Sequence, residues 1–128
     1  MPTLDATISG YVVGDNLEIR RTITTPPQAI ATAWLTLKTH AGQSDANAPL
    51  QKVITTDDVA GTGQIEEAGG PSTDGELRFD LTAADTAALG TKSYLYDVQV
   101  RLATTDKIYT AEKGTFELTD DVTKATGA

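Results

Sequence analysis

Tyr94-Leu-Tyr-Asp-Val-Gln-Val-Arg-Leu102 is the stretch that decides the fold. Tyr94, Tyr96, Val98, Val100 and Leu102 alternate with Leu95, Asp97, Gln99 and Arg101, a period of two that belongs to a strand with one buried face and one wetter face. A polar turn around 104–107 follows. The chain then returns through Ile108-Tyr-Thr110, Gly114-Thr-Phe-Glu-Leu118 and Asp120-Asp-Val-Thr123, which predicts a hairpin in one sheet.

Working outward, the same pattern recurs in shorter pieces. Residues 6–13 read as a strand closed by a turn at Gly14-Asp15, and Leu17, Ile19, Arg21 and Ile23 then share one face. Arg21 conflicts with that apolar face; the expectation is an edge position with its stem packed and its head in water, preferred over a buried ion pair. Pro26-Pro27 ends the strand, since proline cannot donate to a ladder. In Ala29–Lys38, Ala33, Leu35 and Leu37 face one way and Trp34, Thr36 and Lys38 the other, with either face eligible for the core. A polar loop covers His40–Pro49, and strands are expected at Leu50–Thr55, around Ile65, and at Leu77, Phe79 and Leu81. Between the last two stands the strongest turn cluster, Gly69-Gly-Pro-Ser-Thr-Asp-Gly75. Thr82 followed by Asp85 has the form of a helix cap, and Gly90 stops that helix after about two turns. Short strands separated by turns, with one helical turn, predict an all-β, antiparallel, immunoglobulin-like β-sandwich.

With 128 residues, the chain is expected to form a single domain spanning 1–128, with an N-terminal arm over about 1–7 and a C-terminal tail over about 119–128. That length can remove roughly two-thirds of the unfolded surface from water. Ten basic against eighteen acidic residues give a net charge of −8, which repels phosphate backbones and anionic membranes. The absence of cysteine excludes disulfides, thiolate metal sites and thiol nucleophiles. The N-terminus lacks the basic and apolar regions of a secretory signal, so retention in the cytoplasm of the producing cell is expected.

No reactive constellation emerges. The single histidine, His40, lies in a small-residue loop, and Ser9, Ser44, Ser72 and Ser93 are outside any Gly-x-Ser-x-Gly elbow. The acidic pairs Asp57-Asp58, Glu66-Glu67 and Asp120-Asp121 lack calcium-loop spacing and read as solvated charge first, pairing with Arg20, Arg21 or Lys113 second. The glycines at 61, 63, 69 and 70 are followed by no Lys-Ser/Thr, so they make turns and not a phosphate cradle. Trp34, Tyr94, Tyr96 and Tyr109 could stack on sugars but read first as core or interface aromatics. No catalytic, cofactor-binding or metal-ligating residue is nominated, and an enzyme is not expected.

The order of Gly14-Asp15 and Arg20-Arg21, Trp34-Leu-Thr-Leu-Lys38, Glu76-Leu-Arg-Phe79, Leu81-Thr-Ala-Ala-Asp-Thr-Ala-Ala-Leu89, Tyr94–Val100 and Ile108-Tyr-Thr with Gly114-Thr-Phe116 resembles small immunoglobulin-like structural proteins of tailed bacteriophages. It is similar to the N-terminal domain of baseplate upper proteins and to capsid decoration or cement proteins, from about Ile8 to Thr123. The resemblance implies a non-enzymatic part of a virion, assembled in the host cytoplasm and present in many copies or as a homo-oligomer. Its partners would be viral structural proteins, the major capsid protein or those of the tail and baseplate. Because no trimerising or receptor-binding segment follows Thr123, a head decoration protein is the leading expectation. A tail or baseplate adaptor comes second, and a carbohydrate-binding sandwich module is the alternative from another class.

Overall fold

The long strand with its tyrosines occupies the middle of a five-stranded sheet in the computed structural model, which describes residues 4–40 and 42–119. In chain order the elements are β1 (Leu4–Val12), β2 (Leu17–Ile23), β3 (Ile30–Lys38), β4 (Leu50–Ile54), β5 (Gly63–Glu67), β6 (Gly75–Leu81), α1 (Ala83–Leu89), β7 (Lys92–Leu102) and β8 (Ile108–Thr119). The larger sheet runs β1-β8-β7-β3-β4 and the smaller β2-β6-β5. These are the orders and crossovers of an immunoglobulin-type sandwich. The interior faces of the two sheets meet in one apolar cluster that includes Ile19, Leu35, Leu37, Leu77, Phe79, Leu81, Val98, Val100, Leu102 and Phe116.

The ambiguity in β3 resolves in favour of Ala33, Leu35 and Leu37, all fully buried, which leaves Trp34 half-buried on the outer face. Thr82 and Asp85 form a reciprocal capping box: the Thr82 hydroxyl accepts from the Asp85 amide and the Asp85 carboxylate accepts from the Thr82 amide. The helix then ends at Gly90, whose φ of 79° suits a residue without Cβ. Just beyond it, the Tyr94 hydroxyl donates to the Leu89 carbonyl, tying the start of β7 back to the helix end. A tyrosine so placed is the corner device of immunoglobulin-like sandwiches.

Three expectations need correction. β1 runs parallel to β8, so the sandwich is not wholly antiparallel: the chain leaves β1 at the Gly14 turn and enters the opposite sheet as β2, which leaves β1 to dock alongside β8. Residues 4–7, assigned to an arm, lie in β1, because Leu4 to Thr7 are taken up in that pairing. A 3-10 turn at Asp45–Asn47 also interrupts the 40–49 loop. The tail from residue 120, with Asp120-Asp121, falls outside the described residues.

The return strand of the hairpin, β8, is continuous where the sequence shows a gap. Between Val98 and Gln99 the β7–β8 register slips, with Val98 opposite Glu112 and Gln99 opposite Thr110, so Ala111 is an extra residue. Such a bulge reverses which side of the strand faces inward. Ala111 and Glu112 are consequently buried one after the other, and Lys113 points out.

Candidate functional site

The bulge brings Glu112 under Arg21. The Arg21 Nε and Nη2 donate to Glu112 Oε1 at 3.1 and 2.8 Å, and Nη2 lies 2.8 Å from Oε2. The Tyr96 hydroxyl donates to the same carboxylate. The Glu112 side chain is 2% exposed and that of Arg21 25%. The expectation of a solvated Arg21 head is therefore wrong, although β2 is an edge strand: an inward carboxylate on the facing sheet outweighs access to water. Burial works against the Arg21 charge, but the hydrogen bond and charge of Glu112 hold the guanidinium above its ordinary range. The triad ties the two sheets together.

The outer face of the three-stranded sheet is covered by its own charges. Arg78 pairs with Asp58, Glu66 and Asp80, and Arg20 pairs with Glu66. The hydrogen bond to Asp58 is the main reason that Arg78 is held above its ordinary range. Glu66 thus follows the second reading of the acidic pairs through Arg20, Asp58 pairs instead with Arg78, a cation that reading did not name, and Asp57 and Glu67 are exposed. Arg78 itself escaped notice; its signal was the outward Glu76-x-Arg78-x-Asp80 row. At the other side of the sandwich, Lys52 Nζ reaches Asp85 at 2.8 Å and the Gly61 carbonyl at 2.8 Å. Burial pushes the Asp85 carboxyl up, but Lys52 and Thr82 together draw it below its ordinary value.

His40 is exposed, as are Ser9, Ser44, Ser72 and Ser93, and no hydrogen bond joins the His40 ring to any of them among the described residues. Among those residues, no three His, Asp or Glu gather as metal ligands would. Tyr94 and Tyr96 are buried; Trp34 and Tyr109 are half-buried.

The outer face of the five-stranded sheet is different in character. In register across β4, β3, β7 and β8 lie Val53, Trp34, Gln99 and Thr110, and in the next row Gln51, Thr36, Asp97 and then Lys113. Beyond them Lys38 pairs with Leu95 and Leu95 with Thr115; at the opposite end Arg101 pairs with Ile108. Leu95, Val53 and Ile108 are 41, 44 and 55% exposed. A hollow of about 360 Å³ opens among Thr36, Lys38, Leu95, Asp97, Lys113 and Thr115. Lys38 is held by Asp45 at 2.8 Å. Asp97 and Lys113 face each other across β7 and β8, yet neither makes a hydrogen bond or ion pair among the described residues. Burial pushes the Asp97 carboxyl above its ordinary range, a shift that Lys38 only partly opposes. This face offers apolar area and underused charge, the makings of a contact surface. The sequence carried one sign of it, Leu95 between two inward tyrosines, but the choice of core face in β3 was needed before Trp34 could be added.

No family model matches the chain, and no curated protein matches it either.

Proposed function

We propose that this chain is a structural accessory protein of a tailed-bacteriophage particle, a decoration or cement protein that stabilises the head shell through repeated contacts. The observation that carries the reading is how its polar groups are used. Arg21, Glu112, Arg78, Asp58, Glu66, Lys52 and Asp85 bind one another and hold the sandwich, while a sheet face with exposed Leu95, Val53 and Ile108 is left for contact. The resemblance of Tyr94–Val100 and its return strand to virion sandwich proteins supports the same assignment. A unit that binds only the assembled lattice shifts the equilibrium toward that lattice by mass action and needs complementary surface without a reactive group. The net charge of −8 keeps free copies apart and favours basic lattice surface, through contacts that weaken with salt where they are exposed.

The test compares particles made with and without this protein, heated or held at low ionic strength. Heads lacking it are expected to release DNA first. If they retain DNA as complete heads do while tail attachment or adsorption fails, the adaptor reading takes its place. Of the four rings considered for a sugar-binding role, Tyr94 and Tyr96 are buried and cannot stack, which leaves the half-buried Trp34 and Tyr109.

A further inference from the structure

We infer that two copies of this chain pack face to face through the outer surface of the five-stranded sheet, about a two-fold axis running along the strands between β7 and β8. Each Asp97 then meets the other copy's Lys113. The inference rests on reading this face as a contact surface and adds its occupant.

Charge distribution selects a second copy. Across β4, β3, β7 and β8 the face carries Lys38, Arg101 and Lys113 against Asp97 and Glu117, close to neutrality in a chain of net charge −8. The acidic excess lies elsewhere, with Glu18, Asp58, Glu66, Glu76 and Asp80 gathered around only Arg20 and Arg78 on the smaller sheet. Two copies meeting through the larger sheet keep those acidic surfaces on opposite outsides of the pair, whereas approach by the smaller sheets sets like charge against like.

Register selects the axis. Asp97 and Lys113 are directly opposite on adjacent strands, so a two-fold between β7 and β8 superposes each on its opposite number in the other copy. The same operation lays Leu95 over the other copy's Thr115 and Ile108 over its Arg101 stem. Asp97, partly withdrawn from water without a direct partner among the described residues, gains the cation that its own copy does not bring into contact. With the axis between β7 and β8, strands β1, β8, β7 and β3 overlap and β4 overhangs; four strands about 4.8 Å apart and some six residues long give on the order of 400 Å² per copy, or about 800 Å² in all. That is the size of a weak, transient contact, so a weak, concentration-dependent dimer is expected. The acidic sheet and the strand edges stay free for a shell.

Sedimentation velocity on the free chain tests this without any particle, so its outcome is separate from that of the virion experiment. The wild type should pass from monomer to dimer over the micromolar range. Asp97→Lys and Lys113→Glu should each weaken dimerisation by at least about tenfold. An equimolar mixture of the two should restore it, because each altered contact regains opposite charges only in the mixed pair. Circular dichroism confirms that both variants are folded, and Leu95→Arg, at an exposed position, gives a second disruption independent of the charge pair. A wild type that stays monomeric throughout overturns the inference. So does a dimer indifferent to all three substitutions, or a mixture that fails to reassociate.

Discussion

Replacing Arg21 by methionine keeps most of the apolar stem and removes the only cation in contact with the buried Glu112 carboxylate among the described residues. The Glu112 carboxylate is then left buried without a compensating cation. Breaking buried pairs in other proteins costs about 3 to 5 kcal/mol, and a loss in that range is expected here. The reverse change, Glu112→Leu, should cost less, because Arg21 at 25% exposure can turn its head to water while Glu112 at 2% cannot. Changing Arg21 to Met, Tyr96 to Phe and Glu112 to Leu together should bring stability back to within about 2 kcal/mol of the wild type, since an apolar replacement of similar volume removes the desolvation along with the attraction. Urea titration reads these values: with a slope of about 2 kcal/mol per molar, Arg21→Met should move the midpoint down by about 2 M at pH 7. A loss below about 1 kcal/mol at pH 7 refutes the argument.

Phe79→Ala and Phe116→Ala, both at fully buried rings, should each cost about 3 to 5 kcal/mol in the same titration, and a loss below about 1 kcal/mol would mean that the core closes over the gap. Thr82→Ala removes half of the capping box and should cost about 1 kcal/mol, with faster amide exchange confined to the first turn of α1. Asp97→Asn should raise the thermal midpoint at pH 7 when measured at low protein concentration. Burial lifts the folded Asp97 pKa above 3.8, so the folded state binds the proton more tightly and stability falls as pH rises through that lifted value; the variant's advantage should vanish below about pH 3.8, where both forms are uncharged. Gly63→Ala should be among the most damaging small substitutions, because φ is 126° and a Cβ would stand 2.0 Å from the Arg78 carbonyl oxygen; a variant of unchanged urea midpoint would contradict that crowding.

The strands were legible where alternation was uninterrupted and one face was clearly apolar. Leu77, Phe79, Leu81, Val98, Val100, Leu102 and Phe116, apolar residues of the strands read from the sequence, are buried. The helix was legible because a capping box is a local signal whose parts stand three residues apart. What alternation cannot convey is pairing between sheets. Nothing adjacent to Arg21 in sequence indicates that its partner stands 91 residues later, and the partner's own position reads as outward if alternation is carried forward from Thr110 without a break at Ala111. The parallel placement of β1 is hidden for the same reason: strand direction depends on where the chain crosses between sheets, and Gly14-Asp15 marks only that it turns.

One inserted residue, Ala111, accounts for most of what the sequence concealed. Were β8 regular from Thr110 onward, opposite Gln99 on the outer face, the alternation would not place both Ala111 and Glu112 inside. The bulge does so, which delivers a carboxylate to Arg21 and Tyr96 in the interior and puts the following Lys113 outside, opposite Asp97. Internal cross-sheet pairing and the charged pair on the outer surface are therefore coupled consequences of a single register slip. The residue that fixes the packing of the two sheets also fixes the register of the surface proposed to meet a second copy.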